Sequence, residues 1–353
     1  MIQERQRIVP LADVHITDRQ KELIGDVLES GRLTYGPMTR ELEQSFAQKH
    51  GREYAIFVSS GTAALCLSLG YLKDKHDWQD YDEVIVPSTT FVTTLNVVLH
   101  NRLKPILVDV EPNHFNIDPS QIQAKITDRT RAIIPVHLLG QPCEIDKVME
   151  VAKQNNLKVI EDSCESMFVN YKGKPVGSFG DVGCFSTYTA HIMSTGVGGF
   201  ITTDSKEDAE VMRSLIWHGR DNLYLTIEDN YKEELEKVID ARYKFNRVGF
   251  NYRLTELEAA LGIDELKRSD QIVEGRQLAA KFITEQLWEL REYLQLPYSS
   301  RYQEHSWMFY GVVLGDDTDR NDFAIFLERR GIQTRWLMPV TNQPVYEGLF
   351  EEK

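Results

Sequence analysis

A chain of 353 residues with a formal net charge of −14 is long enough for two domains, or for one large domain with an appendage. Its 42% hydrophobic and 27% charged residues are ordinary for a chain that buries a sizeable core. The acidic excess argues against nucleic acid or an anionic membrane as a partner, but not against a small anion, which backbone N–H groups alone can hold.

No apolar run reaches membrane-spanning length, and the opening "MIQERQRIVP" is too polar for a secretory signal, so a cytoplasmic protein is expected. Cys66, Cys143, Cys164 and Cys184 form no C-x-x-C pair, which points to reduced thiols and to no metal site.

In chain order, "TDRQKELIGDVLESG" predicts a helix opened by a capping box, Thr17 with Gln20, and stopped at Gly31. "EYAIFV" reads as a strand and "SSGTAALCLSLGYL" as a turn and helix. "EVIVP", "KPILVDV", "RAIIPVHL" and "LKVIED" are further apolar, β-branched runs, with helices expected over 119–126 and 145–154. Such alternation predicts an α/β fold whose mostly parallel sheet is covered on both faces. Residues 220–247 read as a polar loop. A long helical pattern runs from Thr255 to about Leu290, followed by strand-like "WMFYGVVL" and helical "DRNDFAIFLERRG". The division expected is a large domain over 1–255 and a smaller α/β domain over 256–353.

In a parallel sheet, ligands bind beyond the carboxyl ends of the strands, so the residues there are the candidates for chemistry. Ser59, Ser60, Gly61, Thr62 and Ala63 follow one strand and open a helix, an arrangement suited to a phosphate and equally to a plain helix cap. Asp162 and Glu165 follow another; a carboxylate there either holds a cofactor's ring nitrogen protonated or caps the next helix. Phe91, in "VPSTTFVTTLN", either lies on a cofactor ring or belongs to the core. Asn251 and Arg253 precede a helix cap at Thr255.

Taken together, "SGRLTYGPMTRELEQSFA", "VSSGTAAL", "VPSTTFVTT", "VDVEPNHFNID", "IPVHLLGQP", "VIEDSCES", "GDVGCFSTYTAHIMSTGVGGFITTD" and "VGFNYRLTELEAALG" resemble the DegT/DnrJ/EryC1/StrS sugar aminotransferase and dehydratase family. The resemblance spans nearly the whole chain. It implies a pyridoxal-phosphate (PLP) enzyme of the aspartate-aminotransferase-like fold type I, with a seven-stranded large domain and a smaller C-terminal α/β domain. Carried over by position, Ser60, Gly61 and Thr62 resemble the phosphate-binding turn, and Ser186 the serine that adds a hydroxyl to it. Asp162 matches the partner of the pyridine nitrogen, Glu165 the residue near the phenolic oxygen, and Phe91 the ring-stacking aromatic. Asn251 resembles the asparagine that reaches the phosphate from a neighbouring subunit, which implies a homodimer with shared active sites.

One position departs from the aminotransferases. Their motif resembles F-S-x-x-x-x-K-x-x-x-x-G-E-G-G, whose lysine anchors PLP covalently. Here that position is His191, and no lysine lies between Lys174 and Lys206. Imidazole forms no stable imine but moves protons near neutral pH.

Histidine at this place resembles the 3-dehydratase branch, which acts on GDP-4-keto-6-deoxymannose in deoxysugar and lipopolysaccharide O-antigen synthesis. The resemblance implies a non-covalent cofactor working as pyridoxamine phosphate (PMP). PMP would condense with the C4 ketone of a nucleotide-linked sugar, and His191 would take a proton from the cofactor so that the C3 hydroxyl leaves. Hydrolysis would release ammonia, and L-glutamate would regenerate PMP. His218, in "WHGR", is a second candidate imidazole for the substrate; its plain alternative is a helix-end residue.

Related dehydratases with an iron–sulfur cluster need several thiolates, and this chain has no cysteine after Cys184. Val197 stands where the family has Glu, and family members continue past "PVYEGLFEEK", so either a truncated sequence or a minimal small domain is expected. Two other readings are an aminotransferase with another base and a retired binding or regulatory homologue; colour from bound cofactor separates the latter from an enzyme.

Overall fold

A computed structural model describes residues 9–220, 244–337 and 339–350. The loop expected over 220–247 lies mostly outside them.

The chain enters through α1 (Asp18–Ser30) and α2 (Pro37–Lys49). The capping box predicted for α1 is present: the Gln20 N–H donates to Thr17 Oγ1 at 3.1 Å, and the Gln20 side chain accepts from the Thr17 N–H at 2.9 Å. Gly31, at φ +66°, ends the helix in the left-handed conformation that glycine adopts without a Cβ penalty.

The body alternates β1 (Tyr54–Val58), α3 (Gly61–Lys75), β2 (Glu83–Pro87), α4 (Thr93–His100), β3 (Lys104–Val108), a short α5 (Pro119–Ile122), β4 (Thr130–Ile133), α6 (Ile145–Gln154) and β5 (Lys158–Asp162). A two-residue pair, β6 (Asn170–Tyr171) with β7 (Lys174–Pro175), precedes β8 (Val182–Ser186), β9 (Gly199–Thr203) and α7 (Lys206–Ile216). The helix expected over 119–126 is only α5 followed by a 3-10 turn.

The seven long strands form one sheet in the order β1-β9-β8-β5-β4-β2-β3. Only β9 runs against its neighbours. Side chains alternate between two buried faces. Ile56, Val58, Val84, Val86, Ala132, Ile160 and Ile201 pack with α3 and α4, while Phe57, Phe185 and Phe200 pack with Leu42 and Phe46 of α2. A sheet buried on both faces gives near-continuous apolar strands, which is why these runs are legible in the sequence.

The reversed strand brings two distant strand ends together. Gly199, the first residue of β9, pairs with both Val58 and Ser186, so the ends of β1 and β8 meet at one point of the sheet's carboxyl edge.

The helical pattern from Thr255 breaks into α8 (Glu256–Lys267) and α9 (Ser269–Leu287), because Arg268 leaves helical geometry at φ −96° and ψ 2°. α8 packs against α1 and α2. "WMFYGVVL" is not a long strand. Only Val313–Leu314 pairs, as β11 with β10 (Leu294–Gln295), and Trp307 sits at φ +51°, outside strand geometry. Last comes α10 (Arg320–Glu328). Among the described residues, no helix is long and apolar enough to cross a membrane.

Candidate active site

The carboxyl edge gathers most of the predicted residues. Ser60 caps α3, accepting the Ala63 N–H at 3.0 Å, and the N–H groups of Gly61 and Thr62 have no acceptor within the helix. Gly61 is wedged against the neighbouring strand ends. A Cβ on it would lie 2.7 Å from both Cys164 Sγ and Ser186 Cβ. A Cβ on Gly199 would lie 2.6 Å from the Gly61 nitrogen. Two glycines thus let the first turn of α3 and the Ser186 backbone touch, which brings the Ser186 side chain beside the first-turn N–H groups.

Asp162 ends β5, buried, and its carboxylate accepts the Thr94 hydroxyl at 2.9 Å and the Cys164 N–H at 3.2 Å. Burial raises its pKa above the usual carboxylate value despite both donors. A cationic N–H partner would reverse that penalty. Glu165, half-buried, accepts the Leu139 N–H at 2.8 Å; burial raises its pKa too, while Arg335 opposes the rise.

His191 sits on the loop between β8 and β9. Its neck is fixed by paired threonines: the Thr195 N–H donates to the Thr187 carbonyl at 2.9 Å, and their hydroxyls are 2.6 Å apart. Farther out, the Ser194 N–H donates to Glu265 on α8 at 3.3 Å. The His191 ring interacts with the Cys164 backbone, which places it beside the Asp162–Cys164 segment. Burial pushes its pKa down to about 4, with Arg335 and Arg276 adding to the fall. The imidazole is therefore neutral at physiological pH, and among the described residues its buried Nδ1 has no hydrogen-bond partner.

Phe91 is 53% exposed, and the Arg335 guanidinium lies 5.6 Å from its ring centroid and 5.3 Å from that of Phe309. Because Arg335 also bears on His191 and Glu165, Phe91 borders the same region.

His218 and Asn251 form a separate group. Exposed His218, at φ +63°, accepts at Nε2 from Arg253 at 3.3 Å, and Arg253 donates to Asn251 Oδ1 at 2.8 Å while lying over the Trp217 ring. Among the described residues, no hydrogen bond or ring contact joins His218 to His191. The link to the main cluster is through the backbone, where the Ser59 N–H donates to the Tyr252 carbonyl at 2.8 Å.

Thr94 and Arg335 are site residues that sequence reasoning misses. Thr94 lies in the quoted "VPSTTFVTTLN", but no spacing rule ties it to Asp162, 68 residues later. Arg335 comes from the C-terminal part, with no motif to mark it. Val197 is half-exposed and borders a groove with Ile24, Leu257 and Leu261; the loop offers no carboxylate at that position, while Glu258 of α8 lines the same groove.

The sequence profile of the DegT/DnrJ/EryC1/StrS aminotransferase family matches residues 14–353. The chain belongs to that family. A GDP-perosamine synthase from Caulobacter vibrioides is 36% identical over 312 residues, covering 88% of this chain and 78% of that one. The structure of Escherichia coli GDP-4-keto-6-deoxy-D-mannose-3-dehydratase with bound hydrated PLP superposes with a TM-score of 0.87 at 29% identity, covering 96% of this chain and 89% of that one. An aminotransferase structure from Psychrobacter cryohalolentis does so equally well, with a TM-score of 0.87 at 29% identity over 98% and 89%. The sheet order and its single reversed strand are thus those of a fold-type-I PLP enzyme, and dehydratases and aminotransferases are similarly close.

Proposed function

We propose that the chain is a PLP/PMP-dependent 3-dehydratase acting on a nucleotide-linked 4-keto-6-deoxyhexose such as GDP-4-keto-6-deoxymannose. The observation that carries this is His191, an imidazole that burial holds neutral, standing where the motif this chain resembles has its anchoring lysine. Overall similarity does not discriminate between the two reactions, since both kinds of relative fit equally. The missing amine favours the dehydratase.

The residues present fit the cofactor. The first-turn N–H groups of Gly61 and Thr62 and the hydroxyl of Ser186 suit its phosphate, because Gly61, lacking a Cβ, lets Ser186 pack directly against the N-terminus of α3. Asp162 offers a buried carboxylate in need of a cationic partner. Phe91 presents an exposed ring face, and Glu165 a carboxyl whose pKa burial raises. When bound, the cofactor supplies an electron sink and, as PMP, an amine.

The chain's own contribution is then proton handling. His191 accepts a proton at a ring nitrogen and returns one, and its depressed pKa keeps it in the accepting form throughout the physiological range. Having no amine to bond with, it leaves the cofactor held non-covalently. The balanced reaction consumes the keto sugar and L-glutamate and yields the 3-deoxy sugar, 2-oxoglutarate and ammonia. In a homodimer, Asn251 of each subunit would reach the partner's phosphate site, while His218 and Arg253 would lie at the substrate side.

Mass spectrometry of the product tests this directly. Protein with PLP, L-glutamate and GDP-4-keto-6-deoxymannose should give a 3-deoxy keto sugar with ammonia. A 4-amino sugar that keeps its C3 hydroxyl would make the chain an aminotransferase and overturn the role of His191.

A further inference from the structure

Thr94 is wholly buried at the second position of α4, yet it carries a hydroxyl where valine would fill the same space. That hydroxyl donates its single proton to Asp162 Oδ2 at 2.9 Å. Its contact with Thr90 Oγ1, also 2.9 Å, must therefore be one in which it accepts. The result is a directed chain, Thr90 to Thr94 to Asp162, in which each hydrogen bond polarises the next. Asp162 Oδ1 takes the Cys164 N–H, so both carboxylate oxygens are held by the protein. The same threonine donates its backbone N–H to the Phe91 carbonyl at 3.1 Å. Thr94 thus joins the residue read as covering the cofactor ring to the residue read as binding its nitrogen.

We propose that Thr94 is a positioning residue: its hydroxyl, backed by Thr90, fixes the Asp162 carboxylate in the orientation and ionised form that receive the protonated ring nitrogen of the cofactor. This role rests on the proposed PLP/PMP function of the site. The hydroxyl is needed mainly when the cofactor is bound. Without a cationic partner the buried carboxyl can take up a proton and tolerate the loss of one donor, whereas a carboxylate paired with a ring N–H needs every donor that stabilises its charge.

The test compares Thr94→Val, Thr94→Ala and Thr94→Ser with the wild-type chain. PLP affinity is read by fluorescence quenching, the bound cofactor by its absorbance spectrum, and the apo and PLP-loaded forms by thermal unfolding. Thr94→Val should bind PLP at least tenfold more weakly with a shifted absorbance band, while its apo melting temperature stays within a few degrees of wild type. Thr94→Ser, which keeps the hydroxyl, should restore affinity and spectrum. Thr94→Ala serves in place of Val if the β-branched variant does not fold.

Wild-type affinity and spectrum in the Val or Ala variant would overturn the proposal while leaving the cofactor reading intact. So would a lowered apo stability with PLP binding unchanged, which marks a purely structural threonine. Failure of the wild-type chain itself to bind PLP would overturn both readings, and this is distinguishable because it precedes any substitution.

Discussion

The Glu256 carboxylate, at the start of α8, accepts the N–H of Gly36, the residue that caps α2, at 2.8 Å. The same carboxylate accepts the N–H groups of Met38 and Thr39 at 2.9 Å each, so one buried side chain satisfies three of the first donors of a helix more than two hundred residues away. Glu256→Ala should lower unfolding stability by about 3 kcal/mol or more, since it leaves buried donors unpaired and removes a charge that the helix dipole favours. Denaturant titration measures it. Glu256→Gln should lose less, and a loss under about 1 kcal/mol for Ala would show that water replaces the carboxylate.

Gly61→Ala should break the contact between the first turn of α3 and β8, because the added methyl falls 2.7 Å from Ser186 Cβ and Cys164 Sγ. Overpacking of this kind costs about 1–3 kcal/mol. PLP affinity should fall at least tenfold, read by fluorescence. Gly25→Ala, within α1 and with nothing in reach of the new methyl, is the matched control and should gain about 0.5–1 kcal/mol.

His191→Gln should slow the proposed sugar dehydration by about 10²–10⁴-fold, the usual contribution of a positioned general base. PLP affinity should change little, because no phosphate or ring contact is assigned to the imidazole. Product formation under single-turnover conditions and PLP titration separate the two effects. Equal loss of both would mean that His191 serves binding rather than proton transfer.

His50 is wholly buried against Phe46 and Phe185, with ring centroids 4.4 Å from each, and burial pushes its pKa down to about 3. The unfolded chain protonates this group near pH 6.5, the folded chain only near 3. Between those values the unfolded state binds the extra proton, so stability falls as pH falls, by up to about 1.4 kcal/mol per pH unit from this group. His50→Leu should flatten the decline between pH 6.5 and 4 by one proton's worth in denaturant titrations at several pH values. An unchanged slope would show that other groups govern acid unfolding.

Local signals carry far in this chain. Thr17, Gln20 and Gly31 mark both ends of α1 because a cap is a contact between near neighbours. The parallel strands are legible because a sheet buried on both faces needs continuous apolar residues. Ser60, Gly61, Asp162, Glu165 and Ser186 can be read as one site because strand-end residues of a parallel sheet share an edge. "WMFYGVVL" misleads for the opposite reason: its β-branched and aromatic residues fit a strand, but Trp307 turns through a positive φ and only Val313–Leu314 finds a partner strand. The helix after Thr255 reads as continuous because nothing in its periodicity marks Arg268, which leaves helical geometry while binding Asp264 and Glu265.

By itself the sequence determined most of the order of elements and the family, and it set His191 where the motif this chain resembles has a lysine, since each is written in residue type and spacing. Only the tertiary structure decided that Thr94 bonds Asp162, that His218 pairs with Arg253 apart from His191, and that Glu256 closes α2. Those are side-chain contacts across long loops. Their geometry comes from how strands and helices pack, and no local pattern encodes it.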